Sequence, residues 1–239
     1  PTVNITSFTV SPNALWARTQ GVNYPNNVNF AISVTASSSQ PSNFTFTINS
    51  SLFNISTTTS LDQNLKTITI STTTPSSTIP SSPTTTIVSL KITYNNIEVA
   101  SATTSIIFVN PPNITSFTVS PNALWARTQG VNYPNNVNFA ISVTASSSQP
   151  SNFTFTINSS LFNISTTTSL DQNLKTITIS TTTPSSTIPS SPTTTIVSLK
   201  ITYNNIEVAS ATTSIIFVNP PNITSFTVSP NALWASVYN

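Results

Sequence analysis

Apolar and polar residues alternate with a period of two along most of this chain. Val28, Phe30, Ile32, Val34 and Ala36 interleave with Asn29, Ala31, Ser33 and Thr35, and Phe44, Phe46 and Ile48 interleave with Thr45 and Thr47. Successive side chains on a β-strand point to opposite faces, so this spacing predicts strands with one buried and one wet face. Leu65–Ile70, Val88–Tyr94 and Val99–Val109 continue the habit, separated by clusters of Pro, Asn and Ser that favour turns. Nowhere does the three-to-four-residue stripe of an amphipathic helix emerge. The expected fold class is all-β, with six or seven strands per repeat, rich in Thr, Val, Ile and Phe, in two antiparallel sheets packed face to face.

The pattern repeats. Residues 4–112 recur without a change as residues 113–221, and residues 222–235 begin a third copy. The period of 109 residues, from position 4 to position 113, is too long for a solenoid unit of about 20–50 residues. It matches a β-sandwich of about 100 residues with its own core. Domains are therefore expected at 1–110 and 111–219, with 220–239 as the surplus first strand of a third repeat. If that strand instead closed the preceding domain, Asn4–Ala17 would be the spare copy. The stiff Asn110-Pro111-Pro112 link favours the first frame, and Arg18–Asn27, with Gly21 and Pro25, is a second candidate linker.

Ile5-Thr6-Ser7-Phe8-Thr9-Val10-Ser11-Pro12 resembles the first strand of prokaryotic Ig-like surface repeats. That resemblance covers the strand pattern of the whole repeat and implies tandem Ig-like β-sandwiches arranged as beads on a string at the cell surface. The cysteine pair and strand-C tryptophan of antibody domains are missing. The charge-poor, Thr/Ser/Asn-rich composition is similar to that of extracellular threads and pili of thermoacidophilic archaea. This second resemblance implies filament subunits joined by donor-strand complementation.

A lone strand carrying Ile223, Phe226, Val228, Leu233 and Trp234 would expose an apolar face and unpaired backbone groups. Two expectations compete. The strand adds to a sheet of another copy of the chain, giving a head-to-tail homopolymer, or the chain is a window on a longer repeat array in which Ser236–Asn239 is a diverged end.

Composition narrows the chemistry. Charged residues are 4% of the chain and the formal charge is +2, with no basic cluster able to neutralise phosphates, so nucleic acid is not an expected partner. Cysteine, methionine and histidine are absent, which removes disulfides, thiolate nucleophiles, imidazole bases and soft-metal ligands together. The longest run of aliphatic and aromatic residues, Ile106–Val109, is far short of a bilayer span, and no signal peptide opens the chain. A mature or excised extracellular segment with no transmembrane segment and no cofactor is expected.

Candidate sites follow from the polar residues that remain. Sequons for N-glycosylation stand at Asn4, Asn43, Asn49, Asn54, Asn113, Asn152, Asn158, Asn163 and Asn222. Their number is about what this composition produces by chance. The physical case for covalent glycans is that a neutral surface lacks the charge repulsion that keeps proteins apart. Asn43, Asn49 and Asn54, beside a strand whose Phe44, Phe46 and Ile48 point inward, are the best placed. Ser71–Thr86 is punctuated by prolines and resembles an O-glycosylated stalk segment; a plain extended loop accounts for it equally well.

Trp16, Trp125 and Trp234 end each Asn-Ala-Leu-Trp motif and are expected in core or interdomain packing, with a sugar-stacking platform as the alternative. The acids Asp62, Glu98, Asp171 and Glu207 have no histidine or cysteine partners, so no enzyme and no metal site is expected. With so few titrating groups, the fold should persist between pH 5 and pH 2, and a steep loss of circular dichroism in an acid titration over that range would refute this.

The expected function is a structural subunit of an extracellular, glycosylated filament or cell-surface stalk. An adhesin or carbohydrate-binding repeat is the alternative, and an ice-binding face built from rows Thr45/Thr47 and Thr67/Thr69 is a third.

Overall fold

A computed structural model describes residues 1–235. Each repeat contributes eight strands: β1 (Val3–Ser11), β2 (Ala14–Trp16), β3 (Asn27–Ser38), β4 (Ser42–Asn49), β5 (Asn54–Leu61), β6 (Lys66–Pro75), β7 (Thr84–Tyr94) and β8 (Ile97–Val109) in the first. In the second they are β9 (Asn113–Ser120), β10 (Ala123–Trp125), β11 (Asn136–Ser146), β12 (Ser151–Asn158), β13 (Asn163–Leu170), β14 (Lys175–Pro184), β15 (Thr193–Tyr203) and β16 (Ile206–Val218). The sheets of the first repeat have strand orders β1-β3-β6 and β2-β8-β7-β4-β5, and those of the second repeat are the same. All pairings are antiparallel except β2 with β8 and β10 with β16.

The period-two pattern is what builds the core. On β3 the buried positions are Val28, Phe30, Ile32, Val34 and Ala36; on β4 they are Phe44, Phe46 and Ile48; on β7, Val88, Leu90 and Ile92. Each buried Phe, Ile or Leu contributes about 1.5–3 kcal/mol of transfer free energy. The first strand serves both sheets. β1 pairs with β3, and the chain then passes the cis Ser11–Pro12 bond and delivers β2 to the edge of the other sheet, beside β8. The hairpin β7–β8 turns through Asn95 and Asn96, whose φ values of 48° and 66° are those of a type I′ turn, a conformation that asparagine tolerates better than most residues.

The sequence expectations need correction at four places. Eight strands form where six or seven were expected. The additional long one is β5, whose inward side chains Thr57 and Thr59 face Phe46 and Phe44 across the ladder and read as polar. The Ser71–Thr86 segment is not one long loop: β6 runs on to Pro75 and β7 begins at Thr84, leaving a short 3₁₀ turn at Ser76–Thr78. The hydroxyl of buried Thr74 donates to the Leu52 carbonyl at 3.1 Å, which lets a polar residue occupy a core position. Leu65 lies outside its expected strand and is exposed. Arg18–Asn27 is not an extended linker but a folded loop that runs into β3: the Arg18 N–H donates to the Pro80 carbonyl of its own repeat at 2.7 Å, while Asn23 reaches the next repeat.

Residues 222–235 carry no strand assignment, and Ser236–Asn239 lie outside the described residues.

Candidate interaction surfaces

All nine sequon asparagines are exposed. Asn43 and Asn49 alternate with the buried residues of β4, so they project from the outer face of the five-stranded sheet; Asn49 is the cross-strand partner of Asn54, and Asn158 of Asn163. The threonine rows are split. Thr45 belongs to the five-stranded sheet, where its hydroxyl lies 3.5 Å from that of Thr58, whereas Thr67 belongs to the three-stranded sheet and meets Thr35 at 2.9 Å. They do not make one continuous face.

The acids are separated too. Asp62 follows β5, where its carboxylate accepts from the Asn64 N–H at 2.8 Å. Glu98 sits on β8 and pairs with Lys91 at 3.5 Å. In the order β8-β7-β4-β5 three strand spacings of about 4.8 Å intervene, so the two stand at least roughly 14 Å apart. Paired-carboxylate glycoside chemistry works at about 5–9.5 Å.

The most developed surface lies between the two sandwiches. Trp16, at the end of β2, leaves its own repeat and enters the core of the next, where its ring meets Phe153 at 5.5 Å and stands edge-on to Tyr203 at 5.8 Å. It is only 2% exposed. Its buried indole Nε1 finds no hydrogen-bond partner, so its contribution is apolar contact alone. Gly21, at φ +93°, turns the loop back so that the Val22 N–H reaches the Thr19 carbonyl, and this brings Asn23 alongside β16. The Asn23 N–H donates to the Glu207 carbonyl at 2.7 Å, a single antiparallel bridge between the repeats. Tyr24 closes the joint: its hydroxyl donates to the Trp16 carbonyl, and its ring touches both cores.

Burial pushes the Tyr24 hydroxyl well above the usual tyrosine range. A group whose pKa is raised by folding gives stability that is complete below its unfolded value, about 10, and that is lost as pH climbs toward the folded value. The joint should therefore weaken above about pH 10. Tyr24→Phe should blunt that alkaline loss without changing stability at neutral pH by more than about 1 kcal/mol, as measured by denaturant unfolding across the two ranges.

The counterparts of these residues at the opposing ends are more exposed, although their sequences are identical to those in the joint. Trp125 is 47% exposed where Trp16 is 2%, and Ile97 is 68% exposed where its counterpart Ile206 is 9%. In the tail, Ile223, Phe226, Val228, Leu233 and Trp234 are between 63% and 100% exposed. The same residues at β1 and β2 face the cores, with Val10, Leu15 and Trp16 buried. The tryptophans thus fall in three environments set by their neighbours and not by local sequence.

No protein-family model matches the chain, and no curated protein matches it. Among solved structures it is similar to the D0–D1 domain of intimin, at 18% identity over 90% of this chain and 99% of that one, with a TM-score of 0.26. It is also similar to the Yersinia pseudotuberculosis adhesin InvE, at 14% identity over 90% of this chain and 60% of that one, with a TM-score of 0.31. Red sea bream transglutaminase matches at 6% identity over 90% of this chain and 31% of that one, with a TM-score of 0.33. Likeness at this level assigns no family, activity or partner. The all-β, sandwich-like architecture rests on the sheets described above, and no helix among the described residues is long and apolar enough to cross a membrane.

Proposed function

We propose that this chain is a non-catalytic structural subunit of an extracellular filament or cell-surface stalk, dressed with glycans and extended head to tail by β-strand addition. One observation carries the reading: residues 222–229 duplicate residues 4–11 of β1 and all of β9, yet among the described residues they pair with no strand and leave their apolar side chains in solvent. An apolar strand of this kind is a liability until a sheet accepts it. The first-strand positions of both sandwiches are already filled by β1 and β9. Displacing either would exchange one strand for an identical one at no gain in pairing energy. The acceptor in another copy is therefore an open sheet edge, β5 or β6, rather than the first-strand position that its own β1 fills.

The exposed sequons and the nearly charge-free surface fit a glycan-coated polymer. Electron microscopy of the native material tests this. Continuous fibres with an axial repeat of one or two sandwiches and non-protein density on their flanks are expected, and Phe226→Asp with Val228→Asp should abolish them. Isolated particles that bind glycans would instead favour an adhesin or carbohydrate-binding module, a reading that draws on the exposed indoles of Trp125 and Trp234.

A further inference from the structure

We infer that the free edge of β6, and of its twin β14, pairs antiparallel with the same edge of a second copy of this chain, joining two three-stranded sheets into one of six strands. The contact is lateral and uses no residue of 222–235, so it stands apart from head-to-tail extension and leaves β5 as the edge for strand addition.

Each sandwich has four edge strands, and three of them are protected. In the first, β1 is bulged between Ile5 and Ser7 and lies against β8. β2 is three residues long. Along β5 the Lys66 ammonium donates to the Ser60 carbonyl at 3.1 Å, and a sequon opens the strand at Asn54. Lys66 is the one charge on β6, and it is turned onto that neighbouring edge. What remains, Thr67–Thr74, has no charge and no proline, and the ladder of β6 with β3 runs from Asn27 to Ala36 without a register shift. Natural edges are blunted by lysine, proline or bulges, and a regular, uncharged, β-prone edge is a template for another strand.

An apolar rim marks the uncovered side. Ile68 and Ile70 are half-buried, whereas their partners on β3, Val34 and Ile32, are fully buried. β14 repeats the pattern at Ile177 and Ile179. The joint between the sandwiches does not cover these edges: β6 takes no part in the second core, nor β14 in the first.

The occupant follows from the strand's own sequence. In an antiparallel pair centred on Thr69, Ile68 of one copy faces Ile70 of the other, twice over, and Thr69 meets Thr69 on the outer face. The isoleucines then cover one another, and cross-strand pairs of this kind are favourable. Each Lys66 falls opposite Thr72, about 20 Å from the other Lys66, so no like charges meet. The pairing is isologous, each strand using the same residues as its partner. With two such edges per chain, association continues past a dimer.

Cysteine trapping tests it, since the chain has no cysteine of its own. Directly opposed residues of an antiparallel pair have Cα atoms about 4.5–5.5 Å apart, within reach of a disulfide. Thr69→Cys with Thr178→Cys, both at exposed positions, should therefore oxidise between molecules and give a ladder of dimers and longer species. Thr73→Cys with Thr182→Cys, farther along the same face, would place each cysteine about 27 Å from its twin and should give none.

Charge checks the register, because Thr67 faces Ser71 across the dyad. Thr67→Lys with Ser71→Lys, made in both repeats of the Thr69 and Thr178 cysteine variant, should cut the ladder about fivefold or more, and Thr67→Glu with Ser71→Lys should restore it. Monomers only, equal ladders from the two cysteine placements, or a ladder indifferent to the charges would overturn the pairing. Phe226→Asp with Val228→Asp in the same background separates it from strand donation: the ladder should survive while fibres vanish. A ladder lost with those tail changes would refute the edge pairing, whereas fibres that persist beside an intact ladder would refute strand donation alone.

Discussion

Trp16→Ala is expected to uncouple the two sandwiches, while the same substitution at Trp125 leaves stability almost unchanged. The two residues have identical local sequences, and only their surroundings differ. Truncating a buried tryptophan costs about 3–5 kcal/mol. Trp16 contributes to the core of the second sandwich and not to that of its own repeat. The loss should therefore appear in the unfolding of the second sandwich. Trp125 is 47% exposed, and replacing a side chain so placed changes stability by less than about 0.5 kcal/mol. Small-angle scattering should show a broader spread of end-to-end distances for Trp16→Ala and none for Trp125→Ala. Trp16→Phe is the useful intermediate: it keeps an aromatic ring at the contact and deletes the indole N–H that has no acceptor. It should cost less than half as much as alanine. Equal effects of the two alanine substitutions would mean that the joint does not persist in solution.

The second large effect is in the core. Phe46 is fully buried at the centre of β4, and Phe46→Ala removes about 3–5 kcal/mol from the first sandwich. The repeats have the same sequence and the same intrinsic stability, but Trp16 adds to the second core alone, so the second sandwich of the unaltered chain should melt after the first. For domains of about 100 residues each kcal/mol moves the midpoint by roughly 4–8 °C, so Phe46→Ala should draw the first transition at least about 12 °C further ahead. Phe155→Ala, the same change one repeat later, should bring the second transition down toward the first. It should also reach across the joint, because Phe155 and Trp16 belong to the same core cluster. Calorimetry on the three chains is decisive. A single shifted transition in the Phe46 variant would show that the sandwiches unfold as one cooperative unit.

Where the sequence revealed structure, an uninterrupted apolar face made it legible. β3 and β4 could be placed from Val28–Ala36 and Phe44–Ile48 because every second residue is large and apolar. β5 could not, because it is an edge strand whose inner positions Thr57 and Thr59 are only half covered, so threonine serves where a central strand would need valine. The far end of β6 was hidden for a related reason: Thr72 and Thr74 take inward positions, and the hydroxyl of Thr74 is satisfied by a carbonyl that only the tertiary fold supplies. The tryptophans were legible as boundary residues, since each sits twelve residues after the start of a repeat. Their separate fates were not, because no local pattern distinguishes Trp16 from Trp125. The Asn23–Glu207 bridge was likewise invisible, as it joins residues from two copies that read identically.

The placement of β2 has a mechanical consequence. In each sandwich the second strand and the last lie side by side and run in the same direction: Ala14 opposite Ile107, Leu15 opposite Phe108, Trp16 opposite Val109. The Ile107 N–H donates to the Asn13 carbonyl at 2.9 Å and the Ala17 N–H to the Val109 carbonyl at 2.8 Å, all across the line of pull. Tension applied to the ends of the polypeptide slides β2 and β8 past each other instead of peeling them apart, so these bonds share the load and must rupture together. Each sandwich therefore resists stretching through a patch only three residues long.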